Sequence, residues 1–192
     1  MADEREHPDE QGELDIEREV RRRVALAQIR QYPDPALRMQ ARDVESFDDD
    51  LRRLIERMEL LMEDANGAGL AATQVGVVRR VFVFVRAGED GPVAVVNPRL
   101  VATSDELATD EEGCLSLQGI QVPVERPVRV TLEAVDQHGD EVRLELEGLD
   151  ARVAQHELDH LDGVLIIDRT TPEARREALG ILRTQPLLGA LT

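Results

Sequence analysis

Residues 150–162 read DARVAQHELDHLD, and Gly163 follows them. We predict a helix over this range, because a glycine just past the last helical residue is a common helix end. On that helix His156 and His160 stand four positions apart, on one face and about one turn from each other. Two imidazoles so placed can hold one tetrahedral metal ion, and Glu157 beside the first can act as general base on a water molecule.

The histidine pair leaves the third ligand of such a site open, since a catalytic tetrahedral site takes three protein ligands. Ile166 stands where one zinc-protease pattern has a third histidine. Glu173 and Glu177 are candidates by another protease pattern, although they follow closely in sequence. Cys114 remains, after a glycine and two glutamates, and a thiolate binds divalent transition metals well. The alternative is an ordinary helix, because five-residue motifs also occur by chance.

Strand patterns lie on both sides of the predicted helix. The predicted strands are residues 81–85, 93–96, 128–134, 142–146 and 164–167. Asn97 and Pro98 are expected to end the second of them. A turn over residues 136–139 is expected to join the third and fourth into a hairpin.

Two further helices are predicted. Asp48–Asp50 offer an N-cap and first-turn acids, and apolar residues then recur at helical spacing from Leu51 to Ala65. Asn66 and Gly67 supply the stop. A last helix is expected to begin near Pro172 and run to about residue 183. Together these elements predict an α+β fold, with short antiparallel strands packed around a central helix that carries the His-Glu-x-x-His motif.

The chain length of 192 residues is typical of one domain with tails. Residues 1–23 are dominated by charge, and we expect a disordered N-terminal lead there. Residues 24–192 are then a single catalytic domain with a C-terminal helix. The alternative for part of the lead is that residues 16–27 fray into helix.

Composition excludes several function classes. The formal net charge is −17 and aromatics make up 2 % of the residues, so we expect no direct nucleic-acid binding. No apolar run approaches the ~20 residues of a membrane span, and the acidic N-terminus does not resemble a secretory signal. One cysteine allows no intrachain disulfide. We therefore expect a cytoplasmic protein without membrane partners.

A second glycine-bearing segment, residues 67–74, reads GAGLAATQ. A dinucleotide-binding loop needs a strand before it and a helix after it, and this segment has the opposite order. Taken alone, it indicates a turn and a buried Gln74 that satisfies a backbone group.

Three segments in order resemble the motifs of the peptide deformylase family, whose members remove the formyl group from N-terminal formylmethionine. The segments are residues 67–74 (GAGLAATQ), 112–116 (EGCLS) and 155–160 (QHELDH). Residues 29–35 are similar to the family's opening, and the resemblance covers about residues 28–170. It implies a metal-dependent hydrolase that acts on formylmethionyl peptides of newly made proteins and releases formate.

The resemblance also implies roles for individual residues. The implied metal ligands are Cys114, His156 and His160. Glu157 would take the proton of the attacking water, while the Gln74 amide and the Leu115 N–H would stabilise the oxyanion. The implied substrate-binding residues are Gly69, Glu112 and Gly113. The metal is one divalent transition ion, with Fe²⁺ expected in the cell and Zn²⁺, Ni²⁺ or Co²⁺ able to fill the site.

The sequence departs from the family pattern after Ser116, where Gln118 replaces a frequent proline and Pro123 a frequent glycine. Ribosome docking has weak support, because residues 173–192 hold three arginines against two glutamates. We expect a monomer that acts on nascent formylmethionyl peptides. Two alternatives remain: a metalloprotease-like hydrolase that uses the histidine pair without the thiolate, and a non-catalytic peptide-binding relative.

Overall fold

The computed structural model describes residues 8–184, and describes side chains from residue 14 onward. The helices are α1 (Pro8–Gln28), α2 (Asp49–Asp64), α3 (Gly148–Leu161), α4 (Ile166–Arg169) and α5 (Pro172–Thr184), with 3₁₀ turns at Pro35–Arg38 and Ala72–Val75. The strands are β1 (Gly69–Ala71), β2 (Val81–Val85), β3 (Pro92–Thr103), β4 (Leu107–Gly113), β5 (Gln121–Pro127), β6 (Arg129–Val135) and β7 (Glu141–Glu147).

The strands form two antiparallel sheets. The larger has the order β1-β2-β3-β6-β7, and the smaller pairs β4 with β5. Helix α3 contacts strands of both sheets, which places the histidine motif between them. The predicted α+β fold, with antiparallel strands around that helix, is confirmed.

Strand β2 is apolar throughout because both faces of the large sheet are covered. Val81 and Val83 pack in a core cluster with α2, whereas Phe82 and Phe84 pack in a second cluster with α3. A third cluster joins β5 to α4 and α5. A strand buried on both faces reads as a continuous hydrophobic run, as it does here. The two covered faces fix α3 against the sheet.

Several predicted elements are confirmed. Helix α2 begins after the Asp48 cap, whose carboxylate accepts a hydrogen bond from the Leu51 N–H at 3.0 Å. Strands β6 and β7 form the predicted hairpin, and β2 has the predicted bounds. The last predicted helix corresponds to α5.

Two predicted elements are wrong. Strand β3 does not end at Asn97; the ladder is irregular there, because Asn97 adopts φ 51° and its side chain bonds both backbone groups of Val44. Residues 164–167 do not form a strand. Helix α4 begins at Ile166, and the Asp168 carboxylate accepts a hydrogen bond from the Leu165 N–H at 2.9 Å. A short apolar run cannot distinguish these two structures by periodicity.

The charged N-terminal segment differs from the expected disordered lead. Helix α1 spans Pro8–Gln28, so most of that segment is helical, while residues 1–7 lie outside the described residues. Ion pairs at helical spacing join Asp15 to Arg18 and Glu19 to Arg23, and such pairs support an exposed helix. The division into a lead and one catalytic domain stays a prediction. Among the described helices, none has the length and apolarity to cross a membrane.

Candidate metal centre and substrate groove

A cysteine and two histidines from distant parts of the chain converge beside α3. Cys114 directly follows β4, and α3 carries His156 and His160 on one face. One ligand atom from each of the three lies within 4.8 Å of the others. The Cys114 Sγ is 3.2 Å from the His160 Nε2, and the two imidazole ring centroids are 5.0 Å apart.

The chemistry of this donor set fits a divalent transition metal. A thiolate and two imidazoles suit iron, zinc, nickel or cobalt, and three protein ligands leave a coordination position open. The His156 Nδ1 lies 3.1 Å from the Glu112 carboxylate, which leaves its Nε2 for a metal. Neither Glu173 nor Glu177, the other sequence candidates, belongs to the cluster.

The two imidazoles differ in their electrostatics. Burial lowers the pKa of His160 well below its usual value, and the nearby charge of His156 lowers it further. Burial also acts to lower the pKa of His156, but hydrogen bonds to Cys114 and Glu112 outweigh it and raise that pKa well above its usual value. The neutral state of His160 is the one that binds a metal.

Glu157 lies beside the cluster, with only 3 % of its surface exposed. Its Oε2 has no hydrogen-bond partner within residues 8–184, and burial raises its pKa to about 7. Gly69 packs directly on this side chain. A Cβ at position 69 would stand only 2.5 Å from the Glu157 Oε1. A glycine is therefore required where β1 passes the carboxylate.

The predicted oxyanion donors also border the cluster. The Gln74 Oε1 accepts a hydrogen bond from the Ala71 N–H at 2.8 Å, which turns its amide nitrogen toward Ser116 and Cys114. That nitrogen is 3.1 Å from the Ser116 Oγ and 3.8 Å from the Cys114 Sγ. Leu115 follows Cys114 in the chain and lines the groove that leads to the cluster. Gln74 is thus buried, as expected, but its donor points into the site.

The side chain of Glu112 belongs to an ionic network beside the cluster. Its carboxylate is buried and accepts hydrogen bonds from Arg126 at 2.6 and 2.9 Å and from Arg152 at 2.7 Å. Arg126 also donates to Asp159 at 2.9 Å. Burial would raise the pKa of Glu112, but Arg126 and His156 lower it to about 2.

This ionic network was missed in the sequence. The position of Asp159 inside the histidine motif could have marked it as a site residue. The order of residues along the chain gives no sign that Arg126 or Arg152 lies near it. The network connects β4, β5 and α3, and it fixes the orientation of His156.

A groove of about 980 Å³ leads to the cluster. One wall contains Gly67–Gly69, at and before β1, which is the end strand of the large sheet. The opposite wall contains Glu111–Gly113 at the end of β4. Both walls are strand edges with exposed or half-buried glycines, so an extended peptide can pair with backbone on either side.

The chain is similar to known proteins over most of its length. The family model described as polypeptide deformylase matches residues 26–176. The peptide deformylase of Natranaerobius thermophilus is 46 % identical over 154 residues, which are 80 % of this chain and 98 % of that protein. The crystal structure of peptide deformylase from Thermotoga maritima has a TM-score of 0.72 and 49 % identity, covering 75 % of this chain and 97 % of that one.

A plant structure gives a similar match. Peptide deformylase 1B of Arabidopsis thaliana has a TM-score of 0.76 and 40 % identity. The match covers 81 % of this chain and 89 % of that one.

Proposed function

The chain belongs to the polypeptide deformylase family, and from that premise we propose how its residues remove the formyl group from nascent peptides. The enzyme is a hydrolase that depends on a divalent metal and acts on formylmethionyl peptides. Water is added across the formamide bond, so the products are formate and a peptide with a free amino terminus. The convergence of Cys114, His156 and His160 beside Glu157 is the observation that carries the proposal.

The three converging side chains are the metal ligands in this proposal, and Fe²⁺ is the ion we expect in the cell. A metal held there supplies Lewis acidity, which makes water a nucleophile at neutral pH. Support comes from the soft donor set and from the hydrogen bond that commits the His156 Nδ1 to Glu112.

Glu157 is the general base and acid. Its carboxylate is buried beside the cluster, and no hydrogen bond to the described residues occupies its Oε2. Such a carboxylate can take a proton from the attacking water and deliver one to the departing amine. Because Glu157 is buried, bulk water does not reach its carboxylate. The proton taken from the attacking water can therefore be delivered to the departing amine.

Gln74 and Leu115 stabilise the oxyanion that forms on the formyl carbonyl oxygen. The Gln74 amide nitrogen is turned toward the site by its own carbonyl, which is held by Ala71. The backbone N–H of Leu115 is the second donor in this proposal. Removing one donor of this kind costs about 2.7–4 kcal/mol of barrier.

The peptide binds in the groove as an extended strand, with Gly69 and Gly113 contributing backbone groups. Glu112 flanks the groove and acts through His156 rather than by contact with the peptide. Because newly made chains are the substrate, we place the enzyme in the cytoplasm. We expect it to act as a monomer. Ribosome docking through α5 has little support, because its three arginines are nearly offset by two glutamates.

A formate-release assay on a formylmethionyl peptide, with protein purified without oxygen, tests the proposal. A chelator should abolish activity, and Fe²⁺ should restore it. Cys114→Ser should lose both metal and activity, whereas full metal content and activity in that variant would favour a metalloprotease-like site. Activity that survives the chelator would overturn the metal mechanism.

A further inference from the structure

An arginine from α1 reaches the substrate groove. Arg22 lines the groove together with Leu26, which lies one helical turn further on the same face of α1. The family match begins at residue 26, so Arg22 belongs to the segment that precedes it. The charged N-terminal helix therefore contributes a side chain to the site.

The groove is closed at one end, and its accessible end lies toward Arg22. Gly69 lies against Glu157, and beyond it Leu70 and Ala71 are fully buried, so a peptide cannot continue in that direction. The other direction, toward Asn66, is exposed or half-buried. Leu26 and Asn66 both line the groove, and α1 packs against α2, the helix that ends just before Asn66, so α1 lies at this end.

Arg22 is the groove cation with the weakest protein contacts. Its guanidinium is 4.0 Å from the Glu19 carboxylate and makes no hydrogen bond within the described residues. Arg152, by contrast, is held by Glu112 at 2.7 Å and by Asp110 at 2.9 Å. The side chain of Arg22 is 41 % exposed, so it is accessible from the groove.

Two exposed carboxylates at the groove have no ion-pair partner among the described residues. Glu111 and Glu177 are exposed and line it. These two glutamates disfavour a carboxylate in their own neighbourhoods. A cation at one end of an acidic groove gives a peptide a position-specific electrostatic preference.

We propose that Arg22 is a specificity-determining residue that binds a carboxylate of the peptide a few residues after formylmethionine. This inference rests on the proposed function and adds a preference to it. An extended peptide advances about 3.3 Å per residue, so the preference should fall on a single position, which we look for at the second to fourth residues. The carboxylate can be a side chain or, in a short peptide, the C-terminus.

The test compares kcat/KM for formylated peptides that carry Glu, Gln or Lys at each of these positions, with amidated C-termini. A parallel Gln series with free C-termini distinguishes a terminal carboxylate from a side chain. For wild type we expect the acidic peptide to be preferred at one position. Arg22→Gln should reduce kcat/KM for that peptide about fivefold, through KM, and leave the Gln peptide unchanged. Arg22→Lys should retain part of the preference.

Arg21→Gln is the matched control, because it removes the same charge from an exposed neighbour that does not line the groove. An equal effect of Arg21→Gln would overturn the inference in favour of the overall charge of α1. An equal loss for the Glu, Gln and Lys peptides in Arg22→Gln would overturn it in favour of a structural role. Wild-type protein inactive on every formyl peptide would overturn the proposed function as well.

Discussion

Two buried glutamates flank His156, and their surroundings differ. Glu112 is 5 % exposed and Glu157 is 3 % exposed, so burial alone would raise both pKa values. Arg126 and His156 outweigh burial at Glu112 and lower its pKa to about 2, whereas burial dominates at Glu157 and raises its pKa to about 7. The same type of side chain is therefore charged at neutral pH in one place and able to gain or lose a proton there in the other.

The difference matches two tasks at one metal centre. A ligand-orienting carboxylate must keep its charge in order to hold the imidazole, and cationic partners secure that charge. A general base must change its protonation state near neutral pH, so cationic hydrogen-bond partners would impair it.

Replacing the proton carrier should have the largest effect. Glu157→Gln should lower kcat about 10⁴-fold while the metal stays bound, because the amide cannot accept a proton. Formate release and metal analysis on the same sample measure this. Glu63→Gln, an exposed change on α2, is the control. Turnover within tenfold of wild type would remove Glu157 from the role of base.

Removing the shared cation should destabilise the fold. Arg126→Met leaves Glu112 and Asp159 buried with fewer partners, and we expect a loss of about 3 kcal/mol in the free energy of unfolding. The loss stays near the lower end of the usual range because Arg152 and Arg169 still bind these carboxylates. Urea unfolding measures it.

The matched control is Arg129→Met, which breaks an exposed ion pair with Glu106 at 3.1 Å. That change should cost less than about 1 kcal/mol. Equal losses in the two variants would mean that the buried network contributes no more than a surface pair.

Neutralising the orienting carboxylate should weaken metal binding. Glu112→Gln removes the charge that holds the His156 Nδ1, so metal affinity should fall about 10- to 100-fold. Competition with a chelator measures the affinity without reference to activity. Glu111→Gln, its exposed neighbour, should leave the affinity unchanged. An unchanged affinity in Glu112→Gln would show that the hydrogen bond alone is sufficient.

A third carboxylate provides an intermediate case. Burial acts to raise the pKa of Asp168, but the hydrogen bond from Arg38 and the nearby Arg175 outweigh it and lower that pKa. A lowered folded-state pKa gives stability that is present above the unfolded pKa of about 3.9 and is lost as pH falls through the folded value. Asp168→Asn should therefore destabilise the protein by about 1 kcal/mol at pH 7, discounted for its partial exposure, with the difference shrinking toward pH 2.

Urea unfolding of Asp168→Asn across this pH range checks the sign. Asp43→Asn, which breaks an exposed pair with Arg99 at 3.1 Å, should show a smaller and flatter difference. A difference that grows as pH falls would contradict the assignment.

Much of the secondary structure could be predicted from local sequence patterns. Helix α2 was predictable because its cap, apolar period and stop lie within twenty positions of each other, and the β6–β7 hairpin because turn and alternation are adjacent. Errors came where a distant contact decides. The side chain of Asn97 bonds Val44, and β3 continues past the expected end. Strands β4 and β5 carry site residues but gave no pattern, since each has charged residues among its apolar ones.

The chemistry available to this protein was visible in its amino-acid sequence. Two histidines one turn apart, a glutamate between them, one cysteine and two glycine-bearing segments were visible as residues and spacings, and their order indicated the family. The different pKa values of the two buried glutamates, by contrast, follow from the tertiary structure. That difference depends on the arginines from β5 and α3 that bind Glu112, because electrostatic effects follow distance in space rather than distance along the chain.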